Sequence, residues 1–73
     1  MPLRPLPFRI LRSKLLKAGF TEVGQEGSPV KFAKQTQEGI RTAAVPRHSE
    51  VATGTLRSIL RQAGLSPEEW EVL

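Results

Sequence analysis

Between Gly19 and Pro46 the apolar residues of this chain abandon the helical period that they keep on either side. That double switch, from helix to strand and back, is the tightest limit on what 73 residues can fold into. Upstream, Phe8, Leu11, Leu15 and Ala18 recur at helical spacing along one face, with Arg9, Arg12 and Lys17 turned away from it. Gly19 stands where a glycine ends a helix in a left-handed turn, so the spacing predicts a helix over about residues 7–18. Three prolines fall in the first seven residues, which makes 1–6 an extended lead-in.

Beyond Gly19 the pattern is that of short strands. Thr21 to Gln25 is the first candidate, and Glu26-Gly27-Ser28 reads as a turn. In Val30-Lys31-Phe32-Ala33-Lys34 apolar and polar residues alternate, which puts Val30 and Phe32 on one face and Lys31 on the other. A second turn at Gln37-Glu38-Gly39 leads into Ile40 to Val45, a strand stopped by Pro46, which has no N–H to give a ladder. Arg47 to Thr53 reads as a loop. Leu56, Ile59, Leu60 and Ala63 restore the helical period, with Arg57 and Arg61 on the outer side and Gly64 placed to terminate. Ser66-Pro67-Glu68-Glu69 carries the start signal of a last short helix: an N-cap serine, proline at the first helical position and a glutamate to close a capping box. Trp70 and Leu73 would fold that helix back onto the body.

The order α-β-β-β-α with short connections implies one α+β domain over 1–73: a three-stranded antiparallel sheet with both helices on one face. The other sheet face, carrying Lys31 and its neighbours, is left to solvent.

Composition removes most familiar chemistries. There is no cysteine, so disulfides, thiolate metal sites and a cysteine nucleophile are excluded. With a single histidine, His48, an imidazole-based metal site is not expected, nor any cofactor. Unbroken apolar runs such as Ala43-Ala44-Val45 are far short of the roughly 20 residues that span a membrane. No apolar leader segment is seen, and a soluble cytoplasmic protein is expected. Charge is unevenly spread: residues 1–19 hold five basic groups and no acid, while the last nine hold three glutamates and no base. The net +4 and its asymmetry point to a polyanionic partner.

Four stretches, taken in order, narrow the field: Lys17-Ala18-Gly19-Phe20, Gly27-Ser28, Val45-Pro46-Arg47-His48, and the block Gly54-Thr55-Leu56-Arg57-Ser58-Ile59-Leu60-Arg61-Gln62-Ala63-Gly64-Leu65. Together they resemble the HicA (YcfA-like) toxins, over about residues 8–73, with the last block the most specific part. The resemblance implies the fold of a double-stranded RNA-binding domain. It also implies a metal-independent endoribonuclease that cuts mRNA and is silenced by a HicB antitoxin. The family pattern has Gly-Ser-His at the start of the second strand, and that histidine is the catalytic residue. Here the sequence reads Gly27-Ser28-Pro29, with proline at the catalytic position.

Metal-free RNA cleavage needs a group that takes the proton from the ribose 2′-OH or protonates the leaving oxygen. An imidazole does either near neutral pH; proline has no ionisable group at all. Catalytic impairment is therefore expected, by about 10²–10⁴-fold, the usual contribution of acid–base catalysis. His48, where the family often has a histidine too, is the secondary candidate for contact with RNA or for catalysis. Lys31, Lys34, Arg41 and Arg47, on or beside the sheet, are candidate phosphate contacts, and Arg57 and Arg61 candidates for the carboxylates of an antitoxin. Phe8, Phe20, Phe32 and Trp70 sit at apolar positions of their periods and read as core rather than as stacking platforms. Ser28 has no neighbouring base, so a serine nucleophile is not expected. The competing function is a non-catalytic module that binds RNA or titrates an antitoxin; a plain structural domain is a third.

Overall fold

The computed structural model describes residues 3–24, 27 and 29–73. Helix α1 (Phe8–Lys17) is followed by strands β1 (Thr21–Val23), β2 (Val30–Thr36) and β3 (Gly39–Val45), then helices α2 (Thr53–Ala63) and α3 (Pro67–Glu71). The strands form one antiparallel sheet in the order β1-β2-β3. This is the α-β-β-β-α arrangement of an α+β fold. The first strand is shorter than the Thr21–Gln25 expectation, and Gln25, like Glu26 and Ser28 of the expected turn, lies outside the described residues.

Both long helices end as their glycines foretell. Gly19 (φ +99°) follows α1, where Phe20 N–H donates to Leu15 O (3.0 Å) and Gly19 N–H to Leu16 O (3.0 Å). Gly64 (φ +74°) repeats the motif after α2, with Leu65 N–H on Leu60 O (3.0 Å) and Gly64 N–H on Arg61 O (3.2 Å). Such pairs satisfy carbonyls that a helix end leaves without partners. In α3 the capping box is complete: Ser66 Oγ accepts from Glu69 N–H (3.1 Å), and a Glu69 carboxylate oxygen accepts from Ser66 N–H (2.9 Å). These bonds hold the Glu69 carboxyl below the usual glutamate range, the backbone N–H of Ser66 first and its hydroxyl second.

One face of the sheet is covered. Val30, Phe32, Ala43 and Val45 are buried in a single cluster with Leu11 and Leu15 of α1, and with Leu56, Ile59, Leu60 and Ala63 of α2. Phe20, Trp70 and Val51 complete it. Phe20, Phe32 and Trp70 are thus core, as their periods required, while Phe8 is only partly buried at the margin. Burying each large side chain stabilises by roughly 1.5–3 kcal/mol, the main source of cohesion in so small a domain. The opposite sheet face presents Thr21, Val23, Lys31, Ala33, Gln35, Ile40, Thr42 and Ala44, by register and alternation. Lys31 is the one charged strand residue on that face among the described residues.

The lead-in is part of the fold. Leu6 and Val51 exchange backbone hydrogen bonds, Leu6 N–H to Val51 O at 3.2 Å and Val51 N–H to Leu6 O at 2.6 Å. This isolated bridge explains why Val51, alone in a polar loop, is fully buried.

Candidate functional site

The sequence names Pro29 first, and the strand register fixes its surroundings. The β2–β3 ladder opens with Val30 opposite Val45, so Pro29 stands just outside it and is exposed. A proline there forfeits no ladder hydrogen bond. Across the register, Pro46 and Arg47 leave β3 at the same end of the sheet. Arg47 Nε donates to Gly27 O (3.1 Å), tying the segment after β3 to a residue just ahead of Pro29. The Arg47 guanidinium also lies over the Phe8 ring, 5.3 Å from its centre.

His48 follows in the same loop. Its carbonyl accepts from Phe8 N–H (3.1 Å), which docks the loop against the first residue of α1, and its side chain is exposed. Pro7, Phe8, Arg9, Arg47, His48 and Ser49 line an open groove of about 600 Å³ there. The fold thus brings Pro29, Arg47 and His48 to one end of the molecule. Lys31 lies two residues along β2 from Pro29, exposed, and on its side of the strand by alternation.

Lys34 and Arg41 go elsewhere. They are register partners on β2 and β3, about 10 Å along the strand from Lys31 and on the helix-covered side. Lys34 Nζ donates to Ala18 O at the end of α1 (2.7 Å) and lies 5.8 Å from the centre of the Phe20 ring. Arg41 lies across Gly64, where an added Cβ would stand 2.8 Å from its guanidinium carbon, and it faces Glu38 at 3.7 Å. Lys14 repeats the arrangement on the third helix, with Nζ on Trp70 O at 3.0 Å and over the indole at 5.2 Å. Each helix therefore receives a cation at its carbonyl end, where the helix dipole favours positive charge. Arg12 is also engaged, with Nε on a Glu22 carboxylate oxygen at 2.7 Å.

Arg57 and Arg61 project one turn apart from the exposed side of α2, whose other face is buried through Leu56, Ile59, Leu60 and Ala63. Among the described residues no group of three or more histidine, aspartate or glutamate side chains stands close enough to share a metal ion. No helix among the described residues is long and apolar enough to cross a membrane.

Arg9 is counted in the sequence among the five basic groups of the first segment but is not singled out there as a site residue. It was visible only as a cation off the apolar face of α1. What brings it beside His48 is the docking of the 46–52 loop on the helix start, a non-local contact without a local signal.

Comparison with protein families gives a match to the model described as HicA toxin of bacterial toxin-antitoxin over residues 8–65. No curated protein sequence matches significantly. The family match stops at Leu65, short of α3, whereas the sequence resemblance was drawn through residue 73. It spans α1, the whole sheet and α2, and with them the end where Pro29 stands. The chain accordingly belongs to the HicA family, the toxins of bacterial toxin–antitoxin systems.

Proposed function

We propose that this chain is an mRNA-binding toxin of the HicA type, held by a HicB-like antitoxin, whose ribonuclease step is impaired because Pro29 occupies the catalytic position. The observation that carries the proposal is Pro29 itself, exposed at the threshold of β2 where the family pattern has histidine. Cleavage of an RNA backbone by its own 2′-oxygen forms a bond from that oxygen to phosphorus and breaks the bond from phosphorus to the 5′-oxygen. One proton must leave the attacking oxygen and one must reach the departing oxygen. Proline can neither accept nor donate it, so turnover should fall by about 10²–10⁴-fold.

Binding does not need that proton. Lys31 and Arg47 are our candidates for phosphate contacts at this end, while the Lys34 and Arg41 side chains serve the helix ends. His48, the single imidazole of the chain, is assigned any residual acid–base chemistry. Arg57 and Arg61, on the far side of α2, are assigned to carboxylates of the antitoxin. The alternative, a module that only binds RNA or only titrates the antitoxin, shares the same surfaces and differs in lacking any restorable chemistry.

Restoring the imidazole decides between them. Pro29→His should arrest growth on induction and cleave mRNA in the presence of a chelator, while the parent chain does so weakly or not at all. A restored variant that neither slows growth nor cuts RNA would sink the lost-catalyst reading. So would brisk cleavage by the parent chain under the same conditions.

A further inference from the structure

The groove at the start of α1 is a meeting of positive charge from two separate elements. Arg9 comes from the first turn of α1, and Arg47 and His48 from the loop after β3; among the described residues no carboxylate lines it. Arg47 donates to Gly27 O and lies over Phe8, which places it at the wall of the groove. Arg9 and His48 are exposed.

The first turn of α1 breaks a local rule as well. It has no acidic residue and no side-chain cap, yet it carries Arg9 at the positive end of the helix dipole. An arginine there costs a little stability unless an anion joins it, and the capping box of α3 shows that the chain can compensate a helix start elsewhere. Departures from local consistency tend to mark functional sites.

We propose that this groove takes a backbone phosphodiester of single-stranded RNA, with Arg9 and His48 contacting the phosphate oxygens and Arg47 forming its wall. The inference rests on the RNA-binding reading above and gives that reading a place. Arg47, which lines the groove, also donates to Gly27 O two residues before Pro29, so the groove lies at the same end of the molecule as the position where the family does its chemistry. Arg9 becomes an RNA-positioning residue, picked out of the basic first helix by its place in the groove.

The test is fluorescence anisotropy of a labelled single-stranded oligouridylate titrated with the full chain over a range of salt. Arg9→Gln should lower the slope of log affinity against log salt by about 0.7, the value of one phosphate contact on a single strand. His48→Ala should weaken binding about two- to tenfold, the range supplied by one hydrogen bond. Lys17→Gln is the control: it removes the same charge from the same helix about 12 Å further along, and should change the slope less. Both groove positions are exposed, so unchanged thermal midpoints will show that the fold is intact. If the parent chain binds but Arg9→Gln and His48→Ala behave like Lys17→Gln, the groove assignment is overturned while RNA binding stands. A parent chain with no salt-dependent RNA affinity overturns both. Should the two variants keep RNA affinity and instead lose affinity for a polyglutamate peptide, the groove is an acidic-peptide site and the RNA assignment is wrong.

Discussion

Two lysines on one strand should divide cleanly between folding and binding. Lys34→Met removes an amine whose Nζ donates to Ala18 O at 2.7 Å, at the end of α1. A hydrogen bond from a charged group contributes about 1.5–3 kcal/mol when well shielded. Lys34 is only partly buried, so the lower part of that range applies, and the ring of Phe20 at 5.8 Å adds at most about 0.5 kcal/mol. Methionine keeps an apolar stem across Gly19, where the Lys34 Cε lies 3.2 Å from the position a Cβ would take, so packing is largely retained. The net loss should be about 1–2 kcal/mol. At about 4–8 °C per kcal/mol for a domain this size, the melting midpoint should fall by about 4–16 °C. Lys31→Met, on the open face, should leave stability within about 0.5 kcal/mol and reduce the salt slope of RNA binding by about 0.7. Circular-dichroism melts and anisotropy titrations on the same samples read both quantities. The opposite outcome, a Lys34 variant with an unchanged midpoint and a reduced salt slope, would show that this amine serves RNA and not the helix end.

Gly64→Ala must place a side chain at φ +74° and push the Arg41 guanidinium aside. The left-handed conformation alone costs about 1–2 kcal/mol, so urea denaturation should show a loss of at least that size, with Gly64→Asn milder. For Glu69, whose carboxyl is held below its usual range by the Ser66 N–H and hydroxyl, the sign follows from linkage. Its contribution is fully present above the ordinary glutamate range and is lost as pH falls toward the lowered folded value. Glu69→Gln keeps an acceptor for the capping box but no charge, so the gap in melting midpoint between parent and variant should narrow as pH drops through the acidic range; a gap that stays constant would be contrary to the assignment.

What could be read from the sequence was local. Periodicity found α1 and α2, and the glycines at 19 and 64 ended them because a left-handed residue closes the helix with its own backbone. Ser66-Pro67 and Glu69 placed α3 because a capping box is complete within four residues. The face of Lys34 was legible too, since the alternation that buries Val30 and Phe32 puts the third even residue on the same side. Its chemistry argued for phosphate, and the carbonyl of Ala18 proved the nearer acceptor. What could not be read was tertiary: the Leu6–Val51 bridge, the burial of Val51, and the docking of the His48 loop on Phe8. None of these leaves a mark on residues within one helical turn or one strand.

The distribution of charge carries more than its total. Of the 11 basic residues, Lys14, Lys34 and Arg41 are seated at the ends of the three helices and Arg12 is paired with Glu22, so a net +4 overstates what the surface can offer a polyanion. Pro29 itself lies beyond the first ladder pair, where neither the core nor the sheet asks for a particular side chain. Histidine and proline are nearly equivalent to the fold at such a position: both tolerate extended backbone, and neither is required to pack. To the reaction they are opposites, since only one exchanges a proton near neutral pH. On the reading proposed above, the chain keeps the family's architecture from α1 through α2 while the chemistry turns on a single exposed residue.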